Sequence, residues 1–294
     1  MPSTLATPPR SDVTAVDAHG TRVQTMFGRI AHGYDRANRW MSLGTDVRWR
    51  RRAVALLQPD PARPRPRLLD LCAGTMDSSV EIHRQFPQAD VVAGDFSAQM
   101  LERGRDKLRG SAGERITPRT MDAHALPLDD ASLDGIFCAF GIRNVSDLPR
   151  ATAEQARCLR PGGRLVVLEF FRPTTLLPRV LHALYNRTVL PVVGWLATRD
   201  WEAYTYLPRS IGEFSTVAQY EQLLRAHGFC QVRAQALTLG MAWQVSATWP
   251  GPKTAVPKAA EPEAAEPEAA EPEAAEPEAA EPSGPRAPAP EDDA

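Results

Sequence analysis

Asp95 and Asp122 each close a short apolar run, and a turn of small residues, Cys72-Ala-Gly74, stands about twenty residues ahead of the first of them. At that distance from a glycine turn, an acid accepts hydrogen bonds from both hydroxyls of a ribose. Gly74 lets the backbone come close to a ligand, and a helix starting just after it can turn its unpaired N–H groups the same way. Asp122, with Ala123 beside it, can receive the amino group of an adenine. The turn reads Cys72-Ala-Gly-Thr-Met-Asp77 and lacks the Gly-x-Gly-x-x-Gly array of a pyrophosphate cradle. A monoadenosyl ligand without phosphates therefore fits better than a dinucleotide.

These residues need a scaffold that brings the ends of several strands to one edge. Apolar runs at 67–73, 89–94, 116–120, 133–140 and 164–170 alternate with helical patterns at 78–86, 97–108 and 148–159, the last stopped by Pro161-Gly162-Gly163. Ser97 is placed to cap its helix. A helix at 216–227 precedes two runs, 232–238 and 241–249, close enough to pair as a hairpin. The pattern predicts an α/β fold: a doubly wound, mostly parallel sheet of seven strands with one C-terminal antiparallel strand. Outside it stand a helical segment rich in Arg and aromatics, 21–57, and an apolar segment, 174–197, interrupted by Arg179, Arg187 and two prolines. Both can cover the ligand edge.

From Gly251 the chain is Pro, Ala and Glu, with Ala-Ala-Glu-Pro-Glu repeated from Ala259. Proline at that spacing stops a helix, and nothing apolar offsets the ordering entropy. Residues 251–294 are predicted to be a disordered acidic tail and residues 1–20 a loose arm, leaving 21–250 as the folded domain. The tail holds three basic and twelve acidic residues, so a chain with net charge −2 has a body of +7. Such a body can be drawn to an anionic membrane or an acidic ligand. No aromatic-basic interleaving points to nucleic acid. Cys72, Cys138, Cys158 and Cys230 are scattered, without metal-ligand spacing, so no metal is expected. Reduced thiols and the lack of a signal-like apolar stretch at Met1–Arg10 point to the cytoplasm, at the inner face of the membrane if the basic body meets lipid. A homodimer is compatible with the composition.

Four stretches closely resemble the ubiquinone/menaquinone biosynthesis C-methyltransferase family: Met26–Asn38 with Ser42-Leu-Gly44 and Trp49, Leu69–Asp77, Phe140-Gly-Ile-Arg-Asn-Val145, and Leu159–Phe170. Tyr204-Thr-Tyr-Leu-Pro-Arg-Ser-Ile211 is a further landmark, and the resemblance spans about Met26 to Trp249. It implies methyl transfer from S-adenosylmethionine to a ring carbon of a prenylated quinol, demethylmenaquinol before the ubiquinone precursor. By position, Thr75, Asp95 and Asp122-Ala123 match the family's cofactor contacts. Met76 departs from it, standing where the family usually places glycine, and Ala139 stands where some relatives have serine. The Met76 side chain must point away from the donor, or the loop must shift.

Carbon methylation needs an electron-rich ring, hence a reduced quinol, and losing a phenolic proton, ordinarily near pH 10, enriches the ring further. Arg143 can stabilise that phenolate and Asn144 can orient the oxygen or a water. Arginine stays protonated and is no literal base. Tyr34 and Asp35 lie in a segment expected to fold over the donor as a lid, with Tyr34 as a substrate contact or a packing residue; His32 and His124 are unassigned. Leu176, Leu177, Val180, Leu181, Leu184 and, further on, Val189, Leu190 and Trp195 could hold a prenyl tail, with Arg179 and Arg187 at lipid head groups. Two other readings stay open: methylation of another small aromatic acceptor, and a non-catalytic partner whose donor loop Met76 has spoiled.

Overall fold

The computed structural model describes residues 18–30, 34–197 and 201–252. The chain runs α1 (Ala18–Ile30), α2 (Tyr34–Met41), α3 (Thr45–Val54), β1 (Arg67–Leu71), α4 (Asp77–Gln85), β2 (Asp90–Asp95), α5 (Ala98–Gly104), α6 (Ser111–Arg115) and β3 (Ile116–Thr120). It continues through β4 (Leu133–Ala139), α7 (Leu148–Cys158), β5 (Leu159–Glu169), α8 (Leu176–Ala197), α9 (Trp201–Glu213), α10 (Val217–Ala226), β6 (Cys230–Leu237) and β7 (Ala242–Thr248). The sheet order is β3-β2-β1-β4-β5-β7-β6, with β1 to β5 parallel and β7 antiparallel to both its neighbours. This is the doubly wound sheet expected, with its antiparallel strand one place in from the edge. The topological switch lies between β1 and β4, so the carboxyl ends of β1, β2, β3, β4 and β5 meet at one ligand edge.

Strand residues divide by parity, apart from Leu133 ahead of the irregularity in β4. Leu69, Leu71, Ile136, Cys138, Leu165 and Val167 face one core cluster, and Leu68, Phe137, Val166 and Leu168 face the other. That two-residue period places an apolar layer on each face, which is why the runs read as continuously hydrophobic. Tyr220 and Phe171 are fully buried on the first face, where each large apolar side chain contributes roughly 1.5–3 kcal/mol. Ser97 caps α5 by accepting from the Met100 N–H. Thr216 and Gln219 form a reciprocal capping box on α10.

Two expectations change. Pro161-Gly162-Gly163 lies inside β5, as an irregularity between its pairs with Leu133 and Gly135, because α7 already ends at Cys158. The apolar segment predicted as interrupted forms one helix, Leu176–Ala197, with Pro178 in its first turn, where a missing N–H costs nothing, and Pro191 inside it, where one backbone bond is given up. Residues 253–294, which hold the acidic repeat, and residues 1–17 lie outside the described residues.

Candidate active site

The chain leaves β1 through Cys72, Gly74 and Met76, all with left-handed backbone at φ 58°, 55° and 66°. Two of these carry side chains, a strained geometry costing about 1–2 kcal/mol each. Asp95 fixes the turn from the end of β2. Its Oδ2 accepts from the Gly74 N–H at 2.8 Å and its Oδ1 from the Ser97 N–H at 2.7 Å. Gly74's amide is thus held by Asp95, and what the glycine offers a ligand is close approach. A Cβ there would meet only Met100 Cε, at 3.5 Å. Burial pushes the Asp95 carboxyl up, against the pull of its backbone donors. Each carboxylate oxygen keeps a lone pair for a ribose hydroxyl.

Met76 caps α4 and is wholly buried, in the core cluster that holds Leu101 and Ile82. Its Cε would lie 2.7 Å from a Cβ on Gly104, so the space for it comes from the missing side chain at the end of α5. The side chain lies in the core. The reading in which Met76 spoils the donor loop loses its basis.

Thr75 is buried and its hydroxyl is engaged from the N-terminal segment. It donates to Asp35 Oδ1 of α2 at 2.5 Å and accepts from Lys107 Nζ at 3.0 Å. Lys107 also pairs with Asp35 and Asp77, each at 2.6 Å. The segment expected as a lid is thereby fastened to the donor turn through Asp35. The Tyr34 backbone begins α2, but its side chain and all of His32 lie outside the described residues.

Asp122, one strand further on, accepts at Oδ1 from the His124 N–H at 2.9 Å and from His124 Nδ1 at 2.7 Å. The Asp147 N–H donates into His124 Nε2 at 3.1 Å. A backbone donor at Nε2 leaves the proton on Nδ1, so neutral His124 fixes the rotation of Asp122. Ala123 is buried beside it.

At the end of β4, Arg143 and Asn144 lie in a single helical turn, Ile142–Asn144. The Arg143 side chain is 6% exposed and its Nη1 pairs with Glu169 of β5 at 2.6 Å, donating also to the Phe140 carbonyl at 2.8 Å. Glu169 is fully buried; desolvation raises its carboxyl and Arg143 pulls it back. Two residues four apart on α9 complete the corner: Tyr206 Oη donates to Asn144 Oδ1 at 2.8 Å, and Arg143 Nε reaches Ser210 Oγ at 3.4 Å. Trp49, Phe140 and Phe170 stack beside them, ring centroids 4.8 to 6.4 Å apart, with Arg143 6.0 Å from the Phe170 ring.

Gly74, Thr75, Asp95, Asp122, Ala123, Arg143 and Asn144 therefore all lie along one sheet edge. Sequence reasoning missed Glu169, Tyr206, Ser210, Lys107 and the role of His124. Glu169 lay within the family stretch Leu159–Phe170, and Tyr206 and Ser210, four apart, within the landmark Tyr204–Ile211. The donor set fits an adenosyl ligand: two acids with spare lone pairs, and a lysine already held by two carboxylates instead of free for phosphate. Among the described residues no three His, Cys, Asp or Glu are grouped to hold a metal ion.

Comparison with known proteins agrees with this geometry. The ubiE/COQ5 methyltransferase family matches residues 15–248. A demethylmenaquinone methyltransferase of Deinococcus radiodurans is 42% identical over 80% of this chain and 93% of its own. A ubiquinone/menaquinone biosynthesis C-methyltransferase, UbiE, of Geobacter sulfurreducens is 41% identical over 76% of this chain and 86% of its own. In fold, a SAM-dependent methyltransferase from Thermotoga maritima superposes with a TM-score of 0.54 at 18% identity, covering 77% of this chain and 99% of that one. The chain belongs to the ubiE/COQ5 methyltransferase family and is an S-adenosylmethionine-dependent methyltransferase.

Proposed function

We infer that the chain methylates a ring carbon of a prenylated quinol, with demethylmenaquinol as its main acceptor, using Arg143 and Asn144 at the acceptor oxygen. The observation that carries the acceptor chemistry is the Arg143–Glu169 pair, buried at the ligand edge against an aromatic wall. The demethylmenaquinone name of the Deinococcus relative favours the naphthoquinol. S-adenosylmethionine, when bound, supplies an electrophilic methyl group; the ring carbon forms the new bond and gives up its proton, and the sulfonium leaves as a thioether.

This chain's own residues would hold the donor by Asp95 at the ribose, Asp122 and Ala123 at the adenine, and the open backbone at Gly74. Thr75 would act through the turn, because its hydroxyl is held by Asp35 and Lys107. Glu169 keeps Arg143 in place but cancels its net charge, so Arg143 acts as an oriented donor more than as a lone cation. Asn144, held by Tyr206, positions the acceptor oxygen or the water that takes its proton. Tyr34, at the start of α2, would close over the acceptor. Trp49, Phe140 and Phe170 offer an apolar, water-poor wall on which an aromatic ring can lie. All these groups come from one chain, so the reading requires no second subunit.

The test is product analysis with reduced naphthoquinol and benzoquinol acceptors, and a larger kcat/KM for the naphthoquinol is expected. Arg143→Ala should lower turnover about 10²–10³-fold while calorimetry shows donor binding intact. Arg143→Lys, which leaves Glu169 paired, should recover part of it. Near-normal turnover of Arg143→Ala with the donor bound would overturn the role. We further place the enzyme at the cytoplasmic face of an anionic membrane, where a prenylated acceptor resides. No helix among the described residues is long and apolar enough to cross a membrane.

A further inference from the structure

Leu43 and Leu239 stand out as side chains in the wrong kind of backbone. Leu43 has φ 50° and is 85% exposed, and Leu239 has φ 57° and is 68% exposed. Left-handed backbone disfavours leucine, and neither residue gains burial in return. Each sits at a turn tip, one between α2 and α3 and one between β6 and β7.

Both tips flank α8, which presents Leu176, Val180 and Leu184 four residues apart, with Leu177 beside them, all exposed. The segments touch. Tyr185 of α8 donates to the Met41 carbonyl at 3.1 Å, and a Cβ on Gly240 would fall 2.9 Å from Pro178 Cγ. With Trp40 and Val47 next to the first tip, every exposed large apolar side chain among the described residues lies on these three segments. Their charge is one-sided as well. Arg39, Arg48, Arg179 and Arg187 are exposed, whereas Asp46, the acid within these stretches, is buried against Arg50 and Ser42.

We propose that this three-segment face docks on an anionic lipid bilayer, with Leu43 and Leu239 inserted and the arginines at the head groups. The inference rests on the quinol reading only in its purpose, delivery of a prenylated acceptor. Trp49 connects the two: its Nε1 donates to Thr238 Oγ1 at 3.0 Å, so the aromatic wall beside Arg143 borders the Leu239 tip. A prenyl chain whose ring lies on that wall leaves the protein at the apolar face. A patch of mixed apolar and basic character with no exposed acid suits lipid better than a second copy of itself, where arginines would meet arginines.

The test is co-sedimentation of the full chain with vesicles of phosphatidylcholine alone or mixed with phosphatidylglycerol, at low and high salt. Binding to the anionic vesicles, weakened by salt, is expected. Asparagine tolerates left-handed backbone, so Leu43→Asn with Leu239→Asn should keep or raise the melting temperature while lowering vesicle partition about tenfold. Turnover of a soluble short-chain quinol should stay the same, and turnover of a long-prenyl quinol in vesicles should fall in parallel. Equal vesicle binding by the double variant would overturn the proposal. So would a chain that ignores vesicles but forms a concentration-dependent dimer abolished by the same substitutions. Vesicle binding that behaves as expected, with no quinol methylated, would leave this face standing and remove the functional reading instead.

Discussion

Asp70 sits midway along β1 with no exposure, accepting from Ser79 Oγ at 2.5 Å through one oxygen while the other has no partner. Burial raises its pKa from 3.8 to about 7. The folded state therefore holds a proton that the unfolded state releases above pH 4. The stability this contributes is fully present below pH 4 and is lost as pH rises through about 7. Asp70→Asn should flatten the dependence of the melting temperature on pH over that interval and stabilise the protein at pH 8, both visible by calorimetry. His124 acts on the neighbouring carboxylate by geometry. His124→Ala should raise the KM for S-adenosylmethionine about tenfold and leave kcat within twofold, because it loosens the rotation of Asp122 without touching the acceptor corner. A matching fall in kcat would remove that positioning role.

At the scale of elements, α2 and the donor turn are tied by one small network, Asp35 and Thr75 with Lys107 at its centre. Lys107 and Asp35 are partly exposed, so their ion pair contributes little to global stability, roughly 0–1 kcal/mol. Their effect is local. Lys107→Met should leave the melting temperature nearly unchanged, speed hydrogen exchange in α2, and weaken donor affinity. Exchange no faster than in the parent would show that α2 is held by its packing on α8 alone. The turn also depends on α5. A Cβ on Gly104 would come within 2.5 Å of the Thr75 carbonyl and 2.7 Å of Met76 Cε. Gly104→Ala should destabilise the fold by about 1–3 kcal/mol in denaturant unfolding, and the backbone carbonyl prevents full rescue by shortening Met76.

For the whole molecule, both core clusters lie between Trp49 and Ala247, on the two faces of one sheet. Shortening the chain after Lys253 removes none of that apolar area, and the melting temperature is expected to hold. What the shortening changes is charge. Without the twelve acids beyond Gly251, and with Lys258 and Arg286 lost beside them, the protein carries +8, and its affinity for anionic vesicles should rise at low salt and return to the parent value at high salt.

Much of this was legible in the sequence because it rests on local rules. Short apolar runs between helical patterns marked the strands, Ser97 and Thr216 marked helix starts, and the spacing from Gly74 to Asp95 marked the donor turn. Periodicity also implied the parallel order, since strands separated by helices must cross over. The tertiary structure decided everything that depends on which side chains meet across long separations. Met76 looked like an obstruction until Gly104, 28 residues later, gave it a place in the core. Arg143 read as a free cation until Glu169 proved to lie beneath it, and Asn144 gained its orienting partner from α9. No period encodes such pairs: residue type along the chain sets which groups are apolar or charged, and only the packed sheet edge sets which of them are neighbours.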